Sequence, residues 1–215
     1  MRNIKKMKKK MKKKFFVVLI MIMLVLFTGC SFGKKTEENK DVSVRYDGDD
    51  IIYKTKVNEN TNMVKVYVNI DQAVLIMNEK EPINVFTSAG VYEQEWDDKA
   101  RNSDIYFLKV GGYTDYRWVA QSNNFVDSRI GESEIFANGS LTFKITSPID
   151  FILNYKDDES LDGTAYINSL LDKVFKEYTS KIENTEIENI SKEDMKEYMI
   201  KTLNEENNGI QISDL

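Results

Sequence analysis

The sequence predicts an α+β domain in which strands come first, helices follow, and one strand closes the order. Three observations carry this reading. Between residues 42 and 145, apolar residues recur every second position or in short continuous runs. After Pro148 the apolar spacing changes to three and four. After Gly209 the stretch Ile210-Gln211-Ile212 alternates again. A run of strands followed by a run of helices belongs to the α+β class, because each run must bury its apolar side against the other.

The strands follow in order. Val64-Lys65-Val66-Tyr67-Val68 alternates as a half-buried strand does. Ala73-Val74-Leu75-Ile76-Met77 is continuously apolar and suits a central strand covered on both faces. Asn78-Glu79-Lys80-Glu81-Pro82 is a polar turn leading into Ile83-Asn84-Val85-Phe86. Ser88-Ala89-Gly90 turns into Val91-Tyr92. Residues 105–110 and 116–120 read as strands on either side of Gly111-Gly112. A long strand is predicted over 134–146, where Leu141, Phe143 and Ile145 alternate with Thr142 and Lys144. Asn138-Gly139 within it is a turn or bulge signal.

Pro148 suits the first position of a short helix over 149–153. Ile167, Leu170, Leu171, Val174, Phe175, Tyr178 and Ile182 then form one stripe of an amphipathic helix. A further helix opens at Ser191, its predicted N-cap, with Asp194 in the capping-box place and Ile190 and Met195 in the staple places. Met195, Tyr198, Met199, Thr202 and Leu203 form its apolar stripe, and Asn207-Asn208-Gly209 supplies the stop.

The start of the chain has a different character. Residues 1–14 hold nine Lys/Arg, residues 15–27 are an unbroken apolar run of 13, and Thr28-Gly29-Cys30 follows. That is the order of a secretory leader with a small-residue cleavage site. The run falls short of the ~18–20 apolar residues that span a bilayer. Phe27-Thr28-Gly29-Cys30 resembles the lipobox of bacterial lipoproteins, and Cys30 is the only cysteine. A thiol can take a diacylglyceryl thioether, and two acyl chains suffice for stable anchoring. The expected organisation is a signal peptide over 1–29, lipidated Cys30 and a flexible tether over 30–43, a β-rich part over 44–147, and a helical part over 148–215. The expected place is the cell membrane, lipid-anchored on the extracytoplasmic face. An uncleaved signal anchor with an incidental cysteine is the alternative.

Of 30 Lys+Arg and 35 Asp+Glu, nine basic residues and no acidic ones lie in residues 1–29, so the remainder carries a formal charge of −14. Such a surface repels phosphate backbones, so no nucleic-acid partner is expected. It also repels anionic headgroups, so attachment must come from the lipid on Cys30.

The inventory for catalysis is sparse. There is no histidine, which removes the commonest general base and transition-metal ligand. With Cys30 given to lipid, cysteine nucleophiles, Cys/His zinc sites and disulfides are excluded. No phosphate-binding glycine loop and no nucleophile elbow occurs. Asp47, Asp49, Asp50, Asp97, Asp98, Asp157, Asp158 and Glu159 could supply a carboxylate pair for a hydrolase, but acidic clusters are ordinarily solvated loops. Asp158-x-Ser160-x-Asp162-Gly163 matches the first half of a calcium loop, yet Ser169 stands where a bidentate Glu is needed. Its plain reading is a turn before a helix. No catalytic residue, metal or cofactor is therefore expected. Trp96 and Trp118 are the candidate ligand-binding aromatics, with Tyr113 beside them.

Four ordered segments resemble the SPFH (Band 7) superfamily of stomatin, prohibitin and flotillin, and within it a bacterial virion-core-protein-like branch. The first is Asp71-Gln72-Ala73-Val74-Leu75-Ile76 with Gly90-Val91-Tyr92. The second is Asp104-Ile105-Tyr106-Phe107-Leu108 with Thr114-Asp115-Tyr116-Arg117-Trp118. The third is Asn138-Gly139-Ser140-Leu141-Thr142-Phe143-Lys144-Ile145 before Pro148 and Phe151. The fourth is Thr202-Leu203-Asn204-Glu205 through Gly209-Ile210-Gln211-Ile212. The resemblance implies a curved antiparallel β-sheet followed by two to three packed helices and a terminal strand. It also implies a membrane-associated scaffold or protein-interaction module that self-associates or binds protein partners. The long coiled coil or zinc-ribbon tail usual in the family does not follow in this sequence. A surface lipoprotein that holds a small ligand or a wall polymer in a pocket lined by Trp96, Tyr113 and Trp118 is the alternative.

Overall fold

The apolar run at 73–77 organises the molecule. The computed structural model describes residues 41–122, 125–156, 162–182 and 185–215, all within one unit, Asn39–Leu215. Among them the strands are β1 (Val42–Val44), β2 (Ile52–Lys56), β3 (Met63–Val68), β4 (Gln72–Asn78), β5 (Glu81–Phe86), β6 (Gly90–Glu95), β7 (Asp104–Lys109), β8 (Tyr113–Gln121), β9 (Phe125–Asp127), β10 (Gly131–Ser133) and β11 (Phe136–Ile145). The helices α1 (Pro148–Tyr155), α2 (Gly163–Lys181) and α3 (Lys192–Glu205) follow, with a 3-10 turn at Ile187–Asn189 before α3 and a closing strand β12 (Ile210–Asp214).

A central antiparallel sheet has the order β2-β7-β4-β5. Successive side chains of a strand point to opposite faces, so β4 and β7 each feed two cores. Val74, Ile76, Ile105 and Phe107 meet Val64, Val66, Val68 and Trp96, which come from the β1-β3-β6 side. Ala73, Leu75, Met77, Tyr106 and Leu108 meet the helices and the inner face of a third sheet, β12-β11-β8. All residues of β4 from Gln72 to Met77 are buried. Each fully buried large aliphatic contributes roughly 1.5–3 kcal/mol, so both cores bear heavily on stability.

The α+β order and the terminal strand agree with the sequence. The strands are spread over several sheets rather than one, and β1 runs parallel to β3. β1 begins at Val42, inside the stretch assigned to the tether, and pairs Val42 with Val64. Asn138 and Gly139 form no turn. They lie within β11 opposite Val119 and Trp118. A Cβ at 139 would stand 3.1 Å from Trp118 Nε1, so the glycine makes room for the indole. The irregularity comes further on, between Leu141 and Phe143, where Asp115 takes a φ of 55°.

The helix starts are chemically explicit. The Ser147 hydroxyl accepts from Asp150 N–H ahead of Pro148, Asp162 accepts from Ala165 N–H at 2.7 Å, and Ser191 accepts from Asp194 N–H at 3.1 Å. These are side-chain caps on orphan amides. Tyr166, Ile167, Leu171, Val174, Phe175 and Tyr178 form the buried stripe of α2, while Ile182 sits at its C-cap. Met199 and Leu203 are the buried residues of α3.

Two junctions tie the helices to the sheets. Gly209 has a φ of 78°, and its carbonyl accepts from Thr146 and Ser147 N–H at 2.8 and 3.1 Å. A Cβ there would come within 2.4 Å of Phe151 N and Ser147 O. Asp127 is 2 % exposed, and its carboxylate accepts from Arg129, Ile130 and Ile187 N–H at 2.7, 2.9 and 2.7 Å. It clamps the β9–β10 turn to the 3-10 turn. The Ile187, Ile130 and Arg129 amides hold its carboxyl below the usual range, against the opposing effect of burial.

Gly209→Ala should lower stability by at least about 2 kcal/mol, from the left-handed backbone and the clash, read as a fall in the urea midpoint. Because the folded-state pKa of Asp127 is depressed, its contribution is complete above the unfolded value of ~3.9 and is lost as pH falls through the folded value. Urea midpoints measured between about pH 6 and 2 should therefore fall less steeply in the acid limb for Asp127→Asn than for the native chain.

Candidate functional site

A polar concavity lies where the loop after β1 meets the β3–β4 turn and the end of β7. It encloses about 130 Å³ among Asp47, Asp49, Asp50, Asn69, Gln72 and Lys109. The turn forms because Asp71 adopts a φ of 59° and its carbonyl accepts from Val110 and Gly111 N–H at 2.8 and 3.2 Å. Asn69 N–H donates to Gln72 Oε1 at 3.1 Å. The side-chain amides of Asn69 and Gln72 both donate to Tyr46 O at 3.1 Å. These bonds strap the 46–50 loop onto the sheet.

Three carboxylates of this concavity, Asp47, Asp49 and Asp50, are committed to neighbours. Asp47 accepts from Arg45 Nε at 2.7 Å and from Asn69 Nδ2 at 2.9 Å, and these hydrogen bonds hold its carboxyl below the usual range. Asp49 pairs with Lys109 at 3.0 Å, an exposed pair of small energetic weight. The Tyr46 hydroxyl donates to Asp50, and burial followed by that bond pushes the phenol up. Asp47 is thus ionised and Tyr46 protonated at neutral pH, a pairing that suits hydrogen-bond acceptance and strapping rather than proton transfer. Among the described residues no group of three or more Asp, Glu, His or Cys is placed to hold a metal ion.

The sequence-selected aromatics lie elsewhere and apart. Trp96 is 2 % exposed and packs between β3 and the central sheet. Trp118 is 4 % exposed and belongs to the helical core. The two indoles therefore line no common pocket. Tyr113 stacks on Phe143 with ring centroids 4.6 Å apart, and burial raises its phenol. Tyr116, which donates to Thr164 O at 2.9 Å, is pushed up to about 12 by burial. Asp97 accepts from Lys99 and Ala100 N–H, and Asp98 pairs with Arg101, so this acidic pair shapes a loop.

Asp162 and Gly163 start α2, where a Cβ on Gly163 would press within 2.8 Å of Ile51 Cβ. Ser169 Oγ donates back to Tyr166 O within the helix. Asp157, Asp158, Glu159 and Ser160 lie outside the described residues, as does Cys30 with the leader. No helix among the described residues is long and apolar enough to cross a membrane.

A second kind of surface is apolar and lies outside the residues singled out in the sequence. Val119 and Phe136 are 67 % and 66 % exposed. Phe136 lies opposite Gln121 and Asn138 opposite Val119, which makes the two apolar side chains diagonal neighbours on the outer face of β8–β11. Val91 stands exposed on the edge strand β6. The available signal was phase: Phe136 shares its face with Asn138 and Ser140, positions that alternation assigns to solvent.

Side-chain carbon NMR titration should place the Asp47 carboxyl below the ordinary ~3.9, and Arg45→Ala should move it upward. No protein-family model matches this chain, and no curated protein matches it.

Proposed function

We propose that this chain is a lipid-anchored, non-catalytic domain on the extracytoplasmic face of the membrane, acting as a scaffold or protein-interaction module. The observation that carries this reading is the order of nine Lys/Arg, a 13-residue apolar run, and Thr28-Gly29 before the only cysteine, Cys30. A diacylated Cys30 holds the domain at the bilayer without any basic surface.

The SPFH-like segments support the same reading, because proteins of that kind organise membranes. The first two fall on β4, β6, β7 and β8, and the others on β11, α3 and β12. The exposed Val119–Phe136 pair and the exposed edge at Val91 are the surface features that favour protein contact. The committed state of Asp47 is consistent with a structural role for the polar concavity. A ligand held between indoles has less support, since Trp96 and Trp118 are buried in different cores.

Metabolic labelling with an alkynyl fatty acid tests the anchor. The native chain should take the label and Cys30→Ser should not; an unlabelled native chain retires the anchor. Light scattering of the processed protein, with crosslinking in cells, tests the rest. A discrete oligomer or a crosslinked protein is expected, and a strict monomer with no crosslinked protein retires the scaffold reading.

A further inference from the structure

Sheet edges are ready templates for another strand, and proteins ordinarily guard them. In this fold most edges are guarded. β2 carries Lys54 and Lys56. β5 contains Pro82, and Asn84 Oδ1 accepts from the Val85 N–H at 2.9 Å. The Gln121 N–H at the end of β8 is taken by Asp172 of α2 at 3.0 Å. Along β12, Asn204 of α3 accepts from Ile212 N–H at 2.7 Å and donates to Ile212 O at 2.9 Å. β1 is only three residues long.

β6 differs. It is the six-residue edge of the β1-β3-β6 sheet and has no proline and no lysine. Its ladder phase is fixed by Trp96 N–H, which donates to Asn62 O at 2.7 Å. Bonded pairs alternate along an antiparallel ladder, so Gln94, Tyr92 and Gly90 turn their backbone groups towards β3. The N–H groups of Val91, Glu93 and Glu95 then face the open side, where no described residue accepts from them, and of the outward carbonyls the last, Glu95 O, accepts from Gln94 Nε2 at 2.9 Å.

We propose that β6 is a docking edge that captures an extended segment of a partner protein by strand addition, a segment with Lys or Arg at every second position and apolar residues between. The proposal deepens, and rests on, the protein-binding reading above. Side chains set the partner's chemistry. Val91, Glu93 and Glu95 are exposed on one face. Glu93 reaches Lys65 at 3.2 Å, and Glu95 makes no ion pair among the described residues. Opposite charges across strands stabilise and like charges repel. A second copy laid along β6 would set Glu against Glu, which disfavours self-pairing. On the other face Tyr92 stacks on Phe86 with centroids 4.5 Å apart, an apolar neighbour for the alternate residues of the incoming strand.

Residue-resolved hydrogen exchange on the full chain tests this, with acetylated (Val-Lys)3 and (Val-Glu)3 amides as probes. In the free protein the Val91 and Glu93 amides should exchange faster than Tyr92 and Gln94. The lysine peptide should slow Val91, Glu93 and Glu95, and bind roughly two- to thirtyfold tighter than the glutamate peptide. Glu93→Lys combined with Glu95→Lys should reverse that preference. Glu93→Pro, which removes an outward N–H without touching the β3 ladder, should abolish the slowing while the thermal midpoint reports an intact fold. The proposal is overturned by no slowing along β6, by equal effects of both peptides, or by protection that grows with protein concentration alone. Protein crosslinks in cells confined to another face overturn it while leaving the broader protein-binding reading in place.

Discussion

The structure depends on β4 and β7 being buried on both faces. Each strand sends one phase of side chains into the core shared with β3 and the other into the core shared with the helices. This has an unusual result for register. A strand with one polar face is pinned, because a one-residue slip would bury charges. β4 lacks that safeguard from Ala73 to Met77, since both phases are apolar. Register must come from the turns. Asp71 and Glu79, both with positive φ, bracket β4, and the Asp71 carbonyl binds the chain just after β7. These turns are as much part of the core specification as the apolar residues.

Where periodicity is strong, the sequence is legible. The stripe from Ile167 to Tyr178, the cap at Ser191 and Pro148 at the first position of α1 correspond to the structure because local chemistry decides them, whereas α3 already ends at Glu205, ahead of the expected Asn207-Asn208-Gly209 stop. β2 escaped because Ile52-Tyr53-Lys54-Thr55-Lys56 has few apolar residues and is specified by its ladder to β7. β9 and β10 are short and depend on Asp127, whose third amide partner, Ile187, is 60 residues away. Asn138-Gly139 misleads for a tertiary reason: the indole of Trp118 fills the space that the glycine leaves. The concavity around Asp47 was legible as an acidic loop, but its strapping by Asn69 and Gln72 needs contacts over more than twenty residues.

A chain so rich in carboxylates uses several of them as acceptors for backbone or lysine. Asp127 and Asp162 bind amides, and Glu177 and Asp214 bind Lys181 and Lys196. The carboxyls of Asp47, Asp127, Glu177 and Asp214 are all held below the usual range, and the phenols of Tyr113 and Tyr116 above it. With no histidine in the chain, these groups keep one charge state across neutral pH.

The position of β12 in chain order has a consequence for how the protein is made. Ile210 and Ile212 belong to the helical core, and β12 pairs with β11 across a separation of about 65 residues. A chain synthesised from its N-terminus cannot close that core until residue 212 has been made. Until then the third sheet lacks one of its strands, and Asn204 has no edge to cover. The helical core is thus completed last, after every residue of the β3-side core has already been made.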